Sequence, residues 1–475
     1  MSSKFDHGVD YSPSTRTATI PVTKLQDPAL NISYIRLQWV DLINNIRCRV
    51  MPLPYFLKLL ESSRPGVGVA KVCLGLVYLM TAPGFAPAGE YLYVPDLSTI
   101  RICPYSPGEA SVMGWFEEKT PYPGVDNKLT VEVPLCPRGS LQRVLKQSSS
   151  VGIDFLVGFE SEFILLKSTK PVQAASYHSW TATNGFPSGS VVAKTLKEIA
   201  DGIQASGIEL QMYHAEAAPG QFEMVTGPLP PLEAADALVH TREIIYNTAA
   251  KYGLRATFAP RIYMDSAGSS AHTHISVHSK NDQKVPEKLS PVEASFLASL
   301  LINLPAVTAL TLPTQASYKR MADGVWSGGT YVNWGTENRE APVRLSNATS
   351  PSSRNFECRF IDGTANPYLA LAATIGTGLA GIRDNVELTV KDCPGPQTAA
   401  QMTEEQRQAL GITQRMALTW DQARRNLGNN KLLRDFVLGP QLTEKFLAVN
   451  QTLADALNLD GDDEAASLTR LVEFY

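Results

Sequence analysis

Two glutamates stand two residues apart in an otherwise apolar run, Val157-Gly158-Phe159-Glu160-Ser161-Glu162-Phe163-Ile164-Leu165-Leu166. Side chains alternate along a strand, so Glu160 and Glu162 share one face. A half-buried carboxylate pair carries a large desolvation cost unless cations meet it, either guanidinium groups or hard metal ions. A solvated edge strand accounts for the alternation equally well. Phe159, Phe163 and the Ile164-Leu165-Leu166 tail favour instead an internal strand with one chemical face.

Further acids and an imidazole lie in segments that read as strands or tight turns. Glu216 and Glu223 occur in His214-Ala215-Glu216-Ala217-Ala218-Pro219-Gly220-Gln221-Phe222-Glu223, His272 in Gly268-Ser269-Ser270-Ala271-His272-Thr273-His274, and Glu357 in Phe356-Glu357-Cys358-Arg359-Phe360. Five carboxylates and one imidazole without cysteine suit Mg²⁺ or Mn²⁺ rather than structural zinc. Taken singly each is weak, and a lone histidine in Ala-His-Thr is more often a satisfied core or surface residue. Between residues 320 and 359 come Arg320, Arg339, Arg344, Arg354 and Arg359. Guanidinium forks grip carboxylate and phosphate at two points, so arginines beside divalent ions suit phosphoryl transfer. Surface salt bridges are the plain alternative. Against it, Glu357 and Arg359 share one strand face and would meet the same ligand.

The elements that must hold these groups can be read along the chain. The first thirty residues are polar and aperiodic, an arm or short ordered lead-in. Tyr34–Asp41, an Asn44-Asn45 turn and Ile46–Val50 read as a hairpin, and Tyr91–Val94 and Thr99–Ile102 as further short strands. The expected division is an arm over 1–30, a small sheet-rich domain over 31–120 and a larger domain over 121–475. In the larger domain, helices are expected from Ser140 to Leu145, from Val191 to Ser206 with a stop at Gly207, and from Pro231 to Tyr252 with a stop at Gly253. Lys391 to Gln406 reads as a surface loop.

Composition narrows the function classes. With 475 residues, 44% hydrophobic and 19% charged, the chain can bury a large core in two unequal domains. Its 42 basic and 46 acidic residues are well mixed, leaving no basic stripe for nucleic acid. The six cysteines form no CxxC unit and read as small buried hydrophobes. The longest apolar stretch, Val292 to Leu312, is broken by Ser, Asn and Pro, and no basic-then-apolar leader opens the chain. No membrane partner and a reduced, cytoplasmic compartment are expected.

In order along the chain, Gly158–Phe163, Glu216–Glu223, Gly268-Ser269 with His272 and His274, Asn338-Arg339, and Glu357-Cys358-Arg359 leading to Asp362 and Ala365–Leu369 resemble the motifs of the glutamine synthetase superfamily, type I-like in size. Tyr93–Thr99 looks like the corresponding N-terminal segment. The resemblance implies an α+β fold: a β-grasp N-terminal domain and a catalytic domain on a curved antiparallel sheet with helices outside. It implies ATP and two or more divalent ions, Mg²⁺ or Mn²⁺, per site. Glu162, Glu216 and Glu223 would hold one ion, and Glu160, His272 and Glu357 the second. His274, Ser276 and Arg344 would lie on the nucleotide side and Arg339 near the transferred phosphate. Arg320, Arg359, Gly268 and Glu162 would surround the acyl substrate, glutamate or a glutamate-like acid. A carboxylate attacking the γ-phosphate would give an acyl phosphate that an amine opens. A ring-shaped homo-oligomer, a dodecamer of two hexamers, is implied as well.

Two departures concern the amine. The family carries a flap carboxylate six residues after the arginine matching Arg320, and here that place is Trp326. The family's N-terminal Asp-Gly-Ser-Ser turn has no counterpart. Indole accepts no proton from ammonium but offers an apolar, cation-facing wall. Asp323 is the candidate replacement base. Trp326 with Trp334-Gly335-x-x-Asn338-Arg339 is similar to glutamine synthetase-like proteins that glutamylate larger amines and to the synthetase-like part of fungal FluG-type proteins. Asn355 also replaces a basic residue common in the family. Three readings stand: a ligase for an organic amine, an authentic glutamine synthetase with a relocated base, and a catalytically weak regulatory or structural homologue.

Overall fold

The computed structural model describes residues 6–124, 127–177, 182–185, 187–280, 282–459, 461 and 463–475. The first five residues of the expected arm lie outside these. The Tyr34–Val40 and Ile46–Pro52 strands pair antiparallel as the expected hairpin. Tyr34–Val40 also pairs in parallel with Glu109–Val112, completing a four-stranded sheet with Arg101–Ile102. A second four-stranded sheet orders Leu129–Glu132, Gly114–Pro123, Glu90–Pro95 and Val67–Ala70. Trp39 of the first sheet packs on Tyr93 of the second, ring centroids 5.4 Å apart, and Tyr93 on Phe116 at 4.7 Å. These aromatics close the small core.

Three readings need correction. The strand expected over Thr99–Ile102 is only Arg101–Ile102, because Asp96 accepts the Ser98 N–H and caps a 3₁₀ turn over Leu97–Thr99. The expected boundary at residue 120 falls inside the Gly114–Pro123 strand, whose pairing with Leu129–Glu132 carries the sheet to residue 132. The Lys391–Gln406 segment is no plain surface loop: Cys393 and Ala399 are buried against Ile412, and a helix begins at Glu404 behind the Thr403–Gln406 capping box.

The larger sheet runs Leu210–Ala215, Gln221–Leu229, Ile153–Thr169, Thr273–Ser279, Asn355–Cys358, Val343–Ser346, Trp334–Thr336. It is antiparallel except for its last pair, which is parallel. The outer strand is held there from outside the sheet: Asp392 accepts from the Thr336 N–H at 2.7 Å and the Cys393 carbonyl from the Asn338 amide at 2.7 Å. Alternation along Ile153–Thr169 sends Gly158, Glu160 and Glu162 to one face and Phe155, Phe159 and Phe163 to the other.

Helices cover the aromatic face. Pro291–Thr311 starts at a Ser290/Glu293 capping box and lays Phe296 between Phe155, at 5.7 Å, and Phe356, stacked at 5.8 Å. It is the one described helix long and apolar enough to cross a membrane, but 78% of its apolar window is buried inside the fold, which makes it a core helix. The Pro137–Ser150, Val191–Ala205 and Pro231–Lys251 helices form where expected, the first longer than its apolar pattern because Pro137 occupies its first turn.

The N-terminal sheet docks on the Pro231–Lys251 helix through buried polar groups. His240 of that helix bonds Ser111 Oγ at 3.2 Å and Ser206 Oγ at 3.0 Å. Arg138 donates to Asp236 and to Asp96, each at 2.8 Å, and stacks 3.9 Å over the Trp115 ring. Burial, helped by the Arg101 charge, pushes the His240 imidazole down to about 3, so the folded protein holds it neutral. Unfolded histidine titrates near 6.5, so below that pH the unfolded chain binds a proton that the native state refuses. Stability present at pH 7 is therefore expected to fall by about 1 kcal/mol per pH unit as pH drops from 6.5 towards 5 on account of this one group. Urea midpoints across that range should show the slope, and His240→Gln should flatten it.

Candidate active site

The acid cluster is a product of strand register. His214 lies opposite Glu223, and Glu223 opposite Glu162, so one row across three strands reads His214, Glu223, Glu162. A second row reads Gly158, His274, Glu357, Arg344. Glu160 lies between the rows and Glu216 on the turn beside the first. Like charges directly opposite one another are unfavourable in a sheet, so this face requires counter-charge.

At the second row the counter-charge is present. Glu160 takes His272 Nδ1 at 2.9 Å and His274 Nε2 at 3.0 Å. Burial alone would raise its carboxyl, but the His274 and His272 contacts outweigh that and hold it well below the usual range. Burial likewise opposes the charge on His274, yet Glu160 wins and lifts the imidazole to about 9, so it is protonated and also donates to Asn355 Oδ1 at 2.8 Å. Glu357 is bonded by Arg359 and, at 2.9 Å, by Arg344, and despite burial the Arg359 charge holds its carboxyl at about 2.

The first row holds one cation for three acids: the bond to Glu223 lifts the His214 imidazole to about 9. Burial first, then the Glu162 charge, pushes Glu216 up to about 7. Burial with the charges of Glu160 and Glu162 pushes Glu223 up to about 8 even though His214 Nε2 lies 3.2 Å away. Burial raises Glu162 too, against bonds from the Ser270 N–H at 2.9 Å and hydroxyl and from the Gln221 amide at 3.0 Å. Acids driven towards the neutral form in such a face are what a divalent ion would re-ionise.

The residues fit such ions. His214, Glu216 and Glu223 bring ligand atoms within 4.8 Å of one another, and so do Glu160, His274 and Glu357. His272 carries the further signal: its Nε2 is buried with no hydrogen-bond partner among the described residues, while burial and the Arg359 charge push the ring down to about 4 and hold it neutral. A neutral imidazole with a free buried nitrogen is the form that binds metal, whereas the His274 ring is committed to Glu160 and Asn355.

Five of the six acid and imidazole residues expected to hold metal line one cavity of about 1900 Å³, and so do Arg320, Arg339, Arg344, Arg359, His274, Ser276, Gly268 and Trp326; the sixth, Glu357, is fully buried beside Glu160 and His274. Arg320 is buried and donates to the carbonyls of Arg359, at 2.8 Å, and Ile361, at 3.1 Å. Its stem crosses Gly268 so closely that a Cβ there would lie 2.5 Å from Arg320 Cγ and 2.6 Å from the Pro260 carbonyl, so only glycine fits. Ser276 Oγ pairs with His278 Nε2 at 2.8 Å. Arg354 turns its guanidinium to the buried Glu293 at 2.6 Å and serves the scaffold.

Trp326 sits on the flap in the left-handed region, φ 55°, and is 69% exposed, its conformation pinned from both sides. Its N–H donates to Glu340 at 2.6 Å and its carbonyl accepts from Arg359 at 2.8 Å. Asp323 faces the other way: it accepts the Thr330 N–H and hydroxyl at 2.8 Å, lies 3.4 Å from Arg415, and does not line the cavity. The sequence reading passed over His214, Gln221, Ser270, Glu340 and Asp265, the last also on the cavity wall. His214 was legible in principle, since it stands two residues before Glu216 at the end of the strand that leads into the Glu216 turn.

A family model described as the glutamine synthetase catalytic domain matches residues 134–463. The chain is 34% identical over 459 residues to the protein fluG of Emericella nidulans, covering 94% of this chain and 49% of that protein, so it spans about half of that relative's length. It is 29% identical over 449 residues to the gamma-glutamylpolyamine synthetase GlnA3 of Streptomyces coelicolor, covering 90% of each. Over 390 residues it is 29% identical to type-1 glutamine synthetase 1 of Dictyostelium discoideum, covering 77% of each. Among solved structures it matches a GmaS/ADP complex with TM-score 0.75 and 22% identity, over 93% of this chain and 97% of that one. It also matches a novel glutamine synthase homolog with TM-score 0.76 and 24% identity, over 94% and 99%. At such identities the structural likeness speaks for the fold.

The partly compensated first row gives a direct test. Mn²⁺ is expected to raise the melting temperature of metal-free protein, by an amount equivalent to about 2.7 kcal/mol at a hundred times its Kd. Glu223→Gln, which relieves repulsion but removes a ligand, should melt higher than wild type without metal and gain less from Mn²⁺. Calorimetry with and without the ion reads both, and an undiminished Mn²⁺ shift in the variant would take Glu223 out of the ligand set.

Proposed function

The chain belongs to the glutamine synthetase family, and from that premise we propose that it is an ATP-dependent acid–amine ligase joining glutamate, or a glutamate-like acid, to an organic amine. The observation that carries this is one cavity that Glu160, Glu162, Glu216, Glu223 and His272 line together with Arg320, Arg339, Arg344 and Arg359. Two or more Mg²⁺ or Mn²⁺ ions, held by Glu162, Glu216 and Glu223 with His214 at one place and by Glu160, His272 and Glu357 at the other, would neutralise phosphate charge when bound. Arg339 serves the transferred phosphoryl group, and protonated His274 with Arg344 and Ser276 serves the nucleotide side. Arg320, packed over Gly268, and Arg359 orient the acid so that its carboxylate attacks the γ-phosphate. ADP leaves, the amine opens the acyl phosphate, and phosphate departs.

The amine is read from Trp326. Where the family has a flap carboxylate, this cavity has an exposed indole, and Asp323 is bonded elsewhere. An indole face favours an organic cation by roughly 0.5–2 kcal/mol, or about 2- to 30-fold in affinity. Asp265 on the cavity wall supports a second reading, glutamine formation with a different base. ADP release and mass detection of the product, with glutamate, Mg²⁺ and a panel of amines, decide. An alkyl or aryl amine is expected to outrun ammonia, and Trp326→Glu to move the preference back towards ammonia. Wild type forming glutamine faster than any other amide would promote the second reading, and no turnover with any amine would leave the regulatory one.

The same reading carries a ring-shaped homo-oligomer, a dodecamer of two hexamers, in the cytoplasm, with no nucleic acid or membrane partner. The six cysteines, all unpaired, agree with a reducing compartment. Light scattering at micromolar concentration is expected to give a mass many times that of one chain, and an active monomer would overturn the ring.

A further inference from the structure

The N-terminal arm does not stay on the outer surface. Around Gly8 it passes over the cavity, and Gly8, Val9 and Tyr11 are part of its lining. Each end of this short segment is tied down on a different part of the catalytic sheet. At one end, the His7 N–H donates to Ser350 Oγ at 2.9 Å, His7 Nδ1 pairs with the same hydroxyl at 2.9 Å, and Ser353 Oγ donates to the His7 carbonyl at 2.7 Å. At the other, the Tyr11 hydroxyl bonds Glu209 and accepts from the Gln211 amide at 2.8 Å.

The anchors lie at opposite sides of the site. Ser350 and Ser353 belong to the connection between Val343–Ser346 and Asn355–Cys358, whereas Gln211 is on the sheet's edge strand Leu210–Ala215, four strands away from Asn355–Cys358 in the sheet order. Strand spacing of about 4.8 Å makes that crossing roughly 19 Å, within reach of five extended residues and their terminal side chains. The segment thus runs across the strands on the cavity face. Gly8 makes the crossing possible: its φ is 87°, and a Cβ there would lie 2.8 Å from Ser353.

Beneath the strap the cavity changes character. The strands that the strap crosses bring apolar Leu156, Leu210, Val225 and Pro228 to the cavity lining, with Ser276 on a neighbouring strand. The Ser353 anchor is two hydrogen bonds from the histidine on the nucleotide side: the Asn355 amide donates to the Ser353 carbonyl at 3.0 Å, while Asn355 Oδ1 accepts from His274. A slot with apolar lining and peptide roof, opening inward on cationic groups, suits a flat heterocycle attached to a polyphosphate. We propose that residues 7–11 form the outer wall of the nucleotide site, covering the base of the bound nucleoside triphosphate. This rests on the ligase reading above for the identity of the nucleotide, and adds a segment that lies far in sequence from every residue assigned to the site.

The test compares Mg·ATP with Mg·tripolyphosphate, which lacks the base, by isothermal titration calorimetry on the full-length protein and three variants. Deletion of residues 1–11 should weaken Mg·ATP about tenfold, the loss of one apolar wall. Gly8→Ala, which displaces one end, and Tyr11→Phe, which releases the other, should each weaken it by about 2- to 5-fold and keep the wild-type melting temperature. Mg·tripolyphosphate binding should be unchanged throughout. Unaltered Mg·ATP affinity in the two point variants overturns the strap while leaving the ligase reading intact, and an equal loss of ATP and tripolyphosphate affinity overturns the base-covering role. Wild type that binds no Mg·ATP overturns the nucleotide reading and this inference with it.

Discussion

Carboxylates opposed across antiparallel strands are the constraint on which this molecule turns. Glu162 against Glu223, with Glu160 and Glu216 beside them, concentrates negative charge on one buried face of a sheet whose other face is aromatic. Such a face is unfavourable unless each acid finds a cation or a proton. Glu160 and Glu357 find His272, His274, Arg344 and Arg359; Glu162, Glu216 and Glu223 do not find enough, and their carboxyls are pushed upwards. The asymmetry makes one half of the site preorganised and the other dependent on what binds there.

The scaffold answers that cost with packing elsewhere. Phe296 wedged between Phe155 and Phe356 fixes the Pro291–Thr311 helix on the far face, and the same strands therefore cannot slip register without exchanging aromatic and acidic faces. The buried Glu293–Arg354 pair ties that helix to the strand bearing Glu357. Position in the site thus follows from hydrophobic burial on the side away from it.

The flap bearing Trp326 is held through its backbone. The flap turn places Trp326 in a left-handed conformation that side chains rarely adopt, and bonds from Trp326 to Glu340 and from Arg359 to Trp326 keep it there. Because Arg359 also bonds Glu357, the flap is coupled through one guanidinium to the acid cluster. A change in the flap at Trp326 is therefore felt at Glu357.

Local pattern was enough for much of this. Alternation placed Glu160 and Glu162 on one face, capping and proline signals placed the helices, and ordered motifs named the acids, the arginines and the family, because each depends on neighbours close in sequence. What lay beyond reach depends on register and on contacts between distant segments. The spacing of Glu216 and Glu223 says nothing of His214 meeting Glu223 across two strands, nor of His272 keeping a free buried nitrogen while His274 spends both of its own. Asp323 looked available three residues before Trp326, yet the flap's fold gives it to Thr330 and Arg415. An aperiodic arm gave no sign that His7 and Tyr11 would bridge the site, since its course is set by hydroxyls and a carboxylate some two to three hundred residues away. Tertiary structure alone decides such pairings, because a hydrogen bond between remote segments leaves no period in either of them.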